Sequence, residues 1–518
     1  MSLCDNSKRV CLIILDGWGH SNNWAGNAIS MANPKNFSNL WQLYGHKILD
    51  TFDKNKPINM NSLKSEICHT VISSGRYLKP IDEEISDKLS ENEIHNNKTL
   101  NQAFEYSNKN DSAVHLISPL DESNKSIDHI KSMIKIVENS HVRDIFIHLV
   151  VHTKYDVSNK LKTLNQYISQ YSNVKIVSIM SDKYISTDSD YANITQGFSS
   201  IINGQGKGFL NLDQGISSIS DTSSDLEPMI LIEEGKPVGI LNDFDTVILT
   251  FISSEKIKTF FSYFATDINF KKIRKRYNLN VISLYDYLLE LPAKYLSAFD
   301  IPQVLPNVSS LISENGLIQV HISDSKKSDN VGYYFDGRSK TKFPGERRLT
   351  ILSEAENLAE AGKLEKQILK LVIDQIMNSK TNFILANFAN VDHFAHNGSI
   401  NETAKAVSML DDSIGIIANA AMRTNTALII TSDHGNAESM TTSATEPKTF
   451  EHTKNPVPFI LVSKESRKSN EIKFSHPFKP NFLTKHGSVI DIGPTILELF
   501  GINQPEEFSG ESLINNLE

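Results

Sequence analysis

Short apolar runs near both ends of the chain lead directly into polar residues. The run Val10–Leu15 precedes Asp16, and the run Ala427–Thr431 leads to the pair Asp433-His434. Apolar runs of this length, bounded by turn residues, predict strands that are buried on both faces of a sheet. Open α/β sheets place their ligand sites at the carboxyl ends of such strands. Asp16, Asp433 and His434 are therefore candidate site residues.

Strand-like and helix-like patterns alternate through the same terminal parts of the chain. A strand candidate at 382–387 lies between two stretches with apolar residues at helical spacing, 353–377 and 402–421. Helices with one apolar face can cover a parallel sheet. The expected fold class is therefore α/β, with a mixed or parallel sheet.

The middle of the chain carries a second series of strand-like runs, at 113–117, 145–151, 174–179 and 246–251. Helical patterns separate these runs, so a second α/β domain is expected. The candidate ligands lie only before and after this region and must meet in space. We therefore predict a discontinuous first domain, 1–79 with 306–518, and an inserted domain, 80–305. The Ser- and Asp-rich stretch 213–228 is predicted to be a surface loop of the insert.

Composition and charge exclude several classes of function. The chain has 518 residues and a net charge of −9, with a pI near 6.0. A negative balance argues against a nucleic-acid or anionic-membrane surface, so neither partner is expected. No apolar run approaches the roughly 18 residues that a membrane helix needs. Cys4, Cys11 and Cys68 are an odd number of cysteines, which favours reduced thiols. We expect a cytoplasmic monomer.

Seven oxygen and imidazole side chains have spacings suited to a two-metal phosphoryl-transfer site: Asp16, Ser65, Asp392, His396, Asp433, His434 and His452. Asp392 and His396 are four residues apart, so a helix would place both on one face. Each histidine alone also fits a surface or core role, but the joint pattern favours metal ligands. Such mixed ligands suit transition metals better than calcium. We expect two divalent ions, manganese first, with cobalt, zinc and magnesium as alternatives.

Ser65 is the candidate nucleophile. A serine hydroxyl is a weak nucleophile at neutral pH, and metal coordination can lower its pKa enough for attack on phosphorus. Two ions held close together can also clamp the entering and leaving oxygens of a phosphoryl group. From the residues alone, Ser62 is a competing candidate, since serine is common in loops and at helix starts.

The chain resembles the cofactor-independent phosphoglycerate mutases of the alkaline phosphatase superfamily. The resemblance covers most of both terminal parts and is carried by LDGWG at 15–19, GNAI at 26–29, SE at 65–66 with GR at 75–76, FPGE at 343–346, NFANVD at 387–392, SDHGNA at 432–437, HTKNPVP at 452–458 and a tail from Asp491 to Gly510. It implies an alkaline-phosphatase-like first domain, an inserted phosphotransferase domain, and interconversion of 2- and 3-phosphoglycerate, in glycolysis and gluconeogenesis, through a phosphoserine.

The resemblance also implies a role for each candidate residue. One ion would be held by Asp392, His396 and His452, and the other by Asp16, Ser65, Asp433 and His434. The interval to the Gly-Arg pair favours Ser65 over Ser62. Lys327 matches the family lysine that supports the phosphoryl group during transfer.

The substrate clamp departs from the family pattern. The family uses several arginines and a histidine there, because guanidinium forks bind carboxylate and phosphate in bidentate fashion. Between residues 80 and 305 the arginines are Arg143, Arg274 and Arg276, and none aligns with a family position. The family histidine aligns with Asn124. The remaining candidate substrate-binding residues are Lys154, Asp156 and Lys256.

Three functions are therefore compatible with the sequence. The first is a phosphoglycerate mutase with a remodelled clamp, which the complete metal, serine and lysine set favours. The second is a metal-dependent phosphohydrolase acting on another phosphate ester, which the missing forks favour. The third is a non-catalytic member of the family that keeps its metals for stability. The small phosphorylated substrate is common to the first two.

Overall fold

The structure is a computed structural model that describes residues 9–52, 65–79, 81–90, 92–121, 124–151, 158–186, 191–220, 226–251, 257–265, 278–286, 294–352, 355, 357–440, 452–468 and 486–518. The chain forms two compact units. The first consists of Met1–Pro80 with Pro302–Glu518, and the second is the continuous segment Ile81–Ile301. The first limit lies one residue after the predicted limit at 79, and the second lies four residues before the predicted limit at 305.

The strands, in chain order, are β1 (Val10–Leu15), β2 (Gly45–Asp50), β3 (Val114–Leu120), β4 (Ile145–Val151), β5 (Val174–Ser181), β6 (Lys207–Phe209), β7 (Met229–Glu233), β8 (Lys236–Pro237), β9 (Thr246–Leu249), β10 (Asn280–Ser283), β11 (Leu296–Ser297), β12 (Gln319–Asp324), β13 (Glu346–Ile351), β14 (Phe383–Phe388), β15 (Ala427–Thr431), β16 (Val457–Val462) and β17 (Gly487–Ser488).

The α-helices, in chain order, are α1 (Ala28–Ala32), α2 (Lys35–Leu43), α3 (Ser65–Ser74), α4 (Ile81–Ser90), α5 (Lys98–Lys109), α6 (Asn124–Asn139), α7 (Ser158–Ile168), α8 (Tyr191–Asn203), α9 (Leu212–Ser220), α10 (Lys258–Ala265), α11 (Val308–Glu314), α12 (Leu358–Met377), α13 (Asn390–His396), α14 (Ile400–Thr424) and α15 (Ile492–Phe500). No helix in the described ranges has the length and apolar character required to cross a membrane.

The first unit is built on a mixed sheet in the order β13-β12-β14-β1-β15-β16-β2-β17. The five strands from β13 to β15 are parallel, whereas β16 is antiparallel to both of its neighbours. Side chains of β1 alternate between two apolar layers, because successive residues of a strand face opposite sides of its sheet. Cys11, Ile13 and Leu15 pack into the layer that contains α12 and α14, and Val10, Leu12 and Ile14 into the layer that contains α3 and α15. Burial on both faces explains why the strand reads as an unbroken apolar run.

The second unit has its own sheet, in the order β11-β10-β9-β3-β4-β5-β7-β6, with β8 paired to β7. The strands β9, β3, β4 and β5 are adjacent and parallel. Their carboxyl ends therefore lie at one edge of this sheet. Helix α6 connects β3 to β4 and helix α7 connects β4 to β5, as expected for βαβ crossovers between parallel strands.

Two sequence predictions were wrong in detail. Helix α12 begins at Leu358 and not at 353, because the extended Asn357 caps it by accepting hydrogen bonds from the backbone N–H groups of Ala359 and Glu360. The predicted loop 213–228 is helical up to Ser220, within α9. Leu212 and Ile216 lie four residues apart and are buried, so a short apolar face was hidden by the polar composition.

A buried chain of polar side chains crosses the second sheet. His115 on β3 places Nε2 3.2 Å from Oδ2 of Asp245 and Nδ1 3.0 Å from Nε2 of His148 on β4. His148 Nδ1 in turn lies 2.8 Å from Oγ of Ser178 on β5. All four residues are buried. Burial, together with His115, holds the pKa of His148 well below its usual value.

We expect this buried row of polar side chains to make the second unit less stable at acidic pH. A histidine whose pKa is lowered by folding binds a proton more readily when unfolded, so its stability contribution is complete above about pH 6.5 and falls as the pH drops below that value. At pH 5 the resulting loss in the free energy of unfolding should approach about 2 kcal/mol. Hydrogen–deuterium exchange of β3, β4 and β5 in the full chain, at pH 7.5 and pH 5, measures it.

The matched variant is His148→Gln, whose amide can occupy the position of Nε2 and keep the contact with His115 while losing the titrating ring. Its exchange rates should depend less on pH than those of the native chain, after correction for intrinsic exchange. An equal pH dependence in both proteins would show that His148 does not contribute.

Candidate metal centre

The candidate ligands are delivered to one edge of the first sheet. The strands β12, β14, β1 and β15 are adjacent and parallel, so their carboxyl ends lie side by side. Because β16 runs antiparallel to β15, the segment that precedes β16 reaches the same edge. Residues that are hundreds of positions apart in sequence can therefore share one site.

Asp16 directly follows β1 and is fully buried. The side chain of Asn387, on the neighbouring strand β14, donates a hydrogen bond to Asp16 Oδ2 at 2.9 Å. The next residue, Gly17, has a φ of +75°, and a Cβ there would lie 2.9 Å from Cβ of Asp392. Glycine avoids both the backbone strain and the clash, so the carboxylates of Asp16 and Asp392 can approach each other.

Asp392 and His396 are both carried by α13, where their spacing places them on one face. His396 Nε2 lies 3.3 Å from Asp392 Oδ1. The helix is anchored by Asn390, whose side chain donates to Oε2 of the buried Glu365 and to the carbonyl of Ala361, both at 3.0 Å. This anchor fixes where α13 presents its two candidate ligands.

Asp433 and His434 follow β15 and are fully buried. His434 Nε2 lies 3.3 Å from Asp433 Oδ2 and 3.4 Å from Asp16 Oδ1. Two residues later, the side chain of Asn436 donates to Asp392 Oδ1 at 2.9 Å. The turn after β15 therefore contacts the candidate ligands that follow β1 and β14.

His452 reaches the site from the segment before β16. The N–H of Thr453 donates to the carbonyl of Gly435 at 2.8 Å, which ties this segment to the turn after β15. The imidazole rings of His452 and His434 stack with centroids 3.4 Å apart. His452 Nε2 lies 3.2 Å from His396 Nε2 and 3.8 Å from Asp392 Oδ1.

Ser65 and Lys327 complete the cluster. Ser65 is the first residue of α3, and its Oγ lies 2.6 Å from His434 Nε2. Lys327 Nζ lies 3.4 Å from Ser65 Oγ, 2.9 Å from Asp16 Oδ2 and 3.2 Å from Asp392 Oδ2. Asp324, the last residue of β12, accepts hydrogen bonds from the backbone N–H groups of Lys326 and Lys327 and so fixes the turn that carries the lysine.

The electrostatics of this cluster favour additional cations. Burial and the neighbouring Asp16 raise the pKa of Asp433 to about 8, since three carboxylates share a site from which water is largely excluded. Burial alone would lower the pKa of Lys327, but Asp16, Asp392 and Asp433 raise it well above its usual value. One ammonium group cannot neutralise three carboxylates.

The described ligand atoms fit a pair of divalent ions. Asp16 Oδ1, Asp433 Oδ2 and His434 Nδ1 are buried without a hydrogen-bond partner. Asp16, Asp433 and His434 form one group whose ligand atoms lie within 4.8 Å of one another, and Asp392, His434 and His452 form another. His434 is common to both groups, and His396 adjoins the second through Asp392 and His452. Carboxylate and imidazole donors of this kind suit manganese, cobalt or zinc.

Comparison with known proteins decides the family. Residues 8–504 match the metalloenzyme superfamily. A protein of Antithamnion sp. named 2,3-bisphosphoglycerate-independent phosphoglycerate mutase is 30% identical over 98% of each chain. A protein of the same name from Listeria monocytogenes is 27% identical over 98% of this chain and 99% of its own. This chain belongs to that mutase family. The resemblance inferred from its motifs is therefore confirmed.

The fold class is confirmed as well. A crystal structure of Leishmania mexicana phosphoglycerate mutase, determined at low cobalt concentration, matches 97% of each chain with a TM-score of 0.74 and 18% sequence identity. The likeness at this identity concerns the fold. It agrees with the α/β architecture that the alternating apolar patterns predicted, and family membership supports a metalloenzyme.

The candidate substrate-binding residues of this family member lie largely beyond what the structure describes. Lys154, Asp156 and Lys256 are outside the described residues. Asn124 is the first residue of α6, and only its backbone is described. Their assignment to substrate binding stays a prediction.

Several residues that shape the centre were not singled out from the sequence. Asn387 and Asn436 orient Asp16 and Asp392 through the hydrogen bonds described above. His69, one helical turn after Ser65, is fully buried with Nε2 3.7 Å from Asp433 Oδ2. A polar residue near the end of an apolar strand, as Asn387 is, was a usable signal for a site residue. His69 could have been found from its four-residue spacing to Ser65 on α3.

Glu438 is the least expected of these residues. Its buried carboxylate accepts hydrogen bonds from the N–H of Gly19 at 3.1 Å, the N–H of Asn436 at 2.8 Å and the side chain of Asn455 at 2.9 Å, and also from the hydroxyl of Thr453. These donors belong to the segments that follow β1, follow β15 and precede β16. One side chain therefore holds three ligand-bearing segments in register.

We expect Glu438→Gln to weaken metal binding by about 10- to 100-fold, the range found for residues that orient ligands. The amide retains the size of the side chain but turns one acceptor into a donor that faces other donors. Titration of the chelator-treated protein with Mn²⁺ measures the effect. Glu465→Gln, at an exposed position of the same unit, is the control and should bind like the native chain. Equal affinity in all three proteins would exclude a role for Glu438 in positioning.

Proposed function

We propose that this protein interconverts 2-phosphoglycerate and 3-phosphoglycerate by transferring the phosphoryl group to and from Ser65. The observation that supports it best is the convergence of Ser65 and Lys327 with the carboxylates and histidines of the metal centre. Full-length relatives carrying the name phosphoglycerate mutase support the substrate. The reaction class is an isomerisation.

Asp392, His396 and His452 would hold one ion, and Asp16, Ser65, Asp433 and His434 the other, with manganese as the first choice. Ions bound there would lower the pKa of the serine hydroxyl and neutralise charge on the phosphoryl oxygens. The shared position of His434, in reach of both groups of ligand atoms, supports two closely spaced ions.

The chain's own residues account for the transfer. Ser65 Oγ gives up its proton and forms a bond to phosphorus as the bond between phosphorus and one glycerate oxygen breaks, and that oxygen takes up a proton. After the glycerate reorients, its other hydroxyl loses its proton and attacks the phosphoserine, and Ser65 Oγ is released and protonated again. Lys327 Nζ, 3.4 Å from Ser65 Oγ, is placed to stabilise negative charge on the group in transfer. Ser65 is largely buried, which limits the access of water that would otherwise hydrolyse the phosphoserine.

The second unit would supply the clamp that retains the glycerate. The sequence positions proposed for it follow β3, β4 and β9, whose carboxyl ends share one sheet edge. Lys183 lies in the turn after β5, the next parallel strand. The ammonium groups of Lys154, Lys183 and Lys256 would act as point charges that attract the carboxylate and the phosphate of the substrate. They cannot provide the bidentate grip of arginine.

A clamp made of lysines predicts that Lys154→Arg improves substrate binding. A guanidinium fork can add a charge-assisted hydrogen bond worth about 1.5–3 kcal/mol, which corresponds to roughly a 10- to 100-fold lower KM. Steady-state kinetics with 3-phosphoglycerate measure the change, with Lys207→Arg at an exposed site as the control. A KM for Lys154→Arg that matches both the native and the control value would remove Lys154 from the clamp.

The products distinguish the proposed function from its alternatives. The manganese-loaded protein is incubated with 3-phosphoglycerate, and both 2-phosphoglycerate and free phosphate are followed. Formation of the isomer without phosphate is the expected result. Release of phosphate would favour a phosphohydrolase, which the missing arginine forks make the second candidate. If neither product forms, the result would indicate a family member that binds metal without turnover.

We further propose that the protein acts as a cytoplasmic monomer in glycolysis and gluconeogenesis. Cys11 and Cys68 are both buried and form no disulfide with each other, in agreement with a reducing compartment.

A further inference from the structure

A second buried group of ligand atoms lies in the first unit, apart from the metal centre. His321 is on β12, Glu346 is the first residue of the adjacent β13, and Asp336 follows the π-helical turn Asn330–Tyr334. Their ligand atoms lie within 4.8 Å of one another. All three side chains have zero relative exposure.

The hydrogen bonds of Gln319 determine which nitrogen of His321 carries the proton. The amide nitrogen of Gln319 donates to the carbonyl of Ser309 at 2.9 Å, so its oxygen is the atom that lies 3.2 Å from His321 Nε2. An amide oxygen only accepts, and Nε2 must therefore be the protonated nitrogen. In the neutral ring Nδ1 is then unprotonated and offers a lone pair.

That lone pair faces two carboxylates. His321 Nδ1 lies 3.7 Å from Asp336 Oδ1 and 4.0 Å from Glu346 Oε1. His321 Nδ1 and Asp336 Oδ1 are both buried without a hydrogen-bond partner. Such an arrangement of acceptors is unfavourable unless a cation lies between them.

Arg348 brings one positive charge to this group of side chains. Arg348 donates to Asp336 Oδ2 and to Glu346 Oε1, both at 2.5 Å. The guanidinium contacts one oxygen of each carboxyl group. Oδ1 of Asp336 and Nδ1 of His321 stay available.

We propose that His321, Asp336 and Glu346 bind one divalent transition-metal ion of the zinc class, separate from the paired ions at the sheet edge. One imidazole and two carboxylates are suitable ligands for such an ion. Ligands of a tetrahedral ion with bonds of about 2.0 Å are roughly 3.3 Å apart, so binding would draw these side chains together by a few tenths of an ångström.

The proposed ion would have a structural role. It joins β12, β13 and the segment after the π-helical turn. The strand β12 ends at Asp324, which fixes the turn that carries Lys327. The ion would therefore stabilise the support of the catalytic lysine without contacting substrate. The proposal does not depend on the mutase activity.

The test is a metal count on the full chain with a matched variant. In His321→Gln the new amide can occupy the position of Nε2 and keep its hydrogen bond to Gln319, while Nδ1 is lost. Both proteins are stripped with chelator, reloaded with zinc, separated from free metal and analysed by mass spectrometry. The native chain should retain one zinc ion more per chain than His321→Gln. Equal zinc content would overturn the proposal.

The same comparison in the Asp392→Asn variant distinguishes ions bound at this site from ions bound at the paired centre. Asp392→Asn should lower the zinc content of the paired centre, yet His321→Gln added to it should still remove one further ion. Zinc should also raise the melting temperature of Asp392→Asn more than that of the double variant, because an ion bound only by the folded chain stabilises it. An equal rise in melting temperature in both variants would contradict the proposal. If His321→Gln does not fold, Asp336→Asn keeps the shape of its side chain and should show the same loss of one ion.

Discussion

Ser65→Ala should reduce the formation of 2-phosphoglycerate by at least about a thousandfold, since it removes the atom that accepts the phosphoryl group. The effect should be on kcat, because no other described hydroxyl is placed as Ser65 is, 2.6 Å from His434 and 3.4 Å from Lys327. Metal content should remain nearly unchanged, since carboxylates and imidazoles still supply most ligands. Activity is measured with the manganese-loaded variant, and metal content by mass spectrometry.

Ser73→Ala provides the matched control. Ser73 is on the same helix, α3, is fully buried, and lacks a hydrogen-bond partner for its hydroxyl. This variant should turn over like the native chain. Native turnover by Ser65→Ala would remove Ser65 from the mechanism, and a loss of activity in both variants would point to disruption of the helix.

Asp433→Asn should abolish most activity and yet stabilise the metal-free protein. The amide keeps the shape of the side chain but is a poor metal ligand, so activity at a fixed manganese concentration should fall by at least about a hundredfold. Without metal, burial and Asp16 raise the pKa of Asp433 to about 8, so this carboxyl must take up a proton when the chain folds at neutral pH. The amide avoids this cost and should raise the stability of the chelator-treated protein by a few kcal/mol.

Thermal unfolding with and without Mn²⁺ tests both parts of this prediction. The native chain should be the less stable protein in chelator and should gain stability with Mn²⁺, whereas Asp433→Asn should gain little. Asp374→Asn, at a surface position of the same unit, is the control and should behave like the native chain. A metal-free Asp433→Asn that melts below the native chain would show that proton uptake by Asp433 is not the dominant effect.

Much of the fold follows from local sequence pattern. The runs Val10–Leu15 and Ala427–Thr431 are strands with the predicted bounds, because burial on both faces of a parallel sheet demands unbroken apolar residues. The same pattern placed Asp16 and Asp433 at strand ends. Helix α9 was missed because its apolar face rests on few residues within a polar stretch, and the start of α12 depended on capping by Asn357.

The arrangement of the centre was harder to predict, because its supports are long-range hydrogen bonds. Glu438 contacts Gly19, more than four hundred positions away, and nothing in the local sequence around either residue indicates this contact. Asn387 and Asn436 similarly act on ligands from other strands. Spacing along a chain predicts ligands that share one helix, such as Asp392 and His396. It does not reveal which neutral side chains orient them across a sheet.

The most direct test of the two-metal centre is anomalous diffraction at the manganese edge from crystals of the manganese-loaded protein. The account predicts two peaks a few ångströms apart, one beside Asp16 and Asp433 and the other beside Asp392, His396 and His452, with Ser65 Oγ adjacent. A single peak, or peaks away from these side chains, would contradict it.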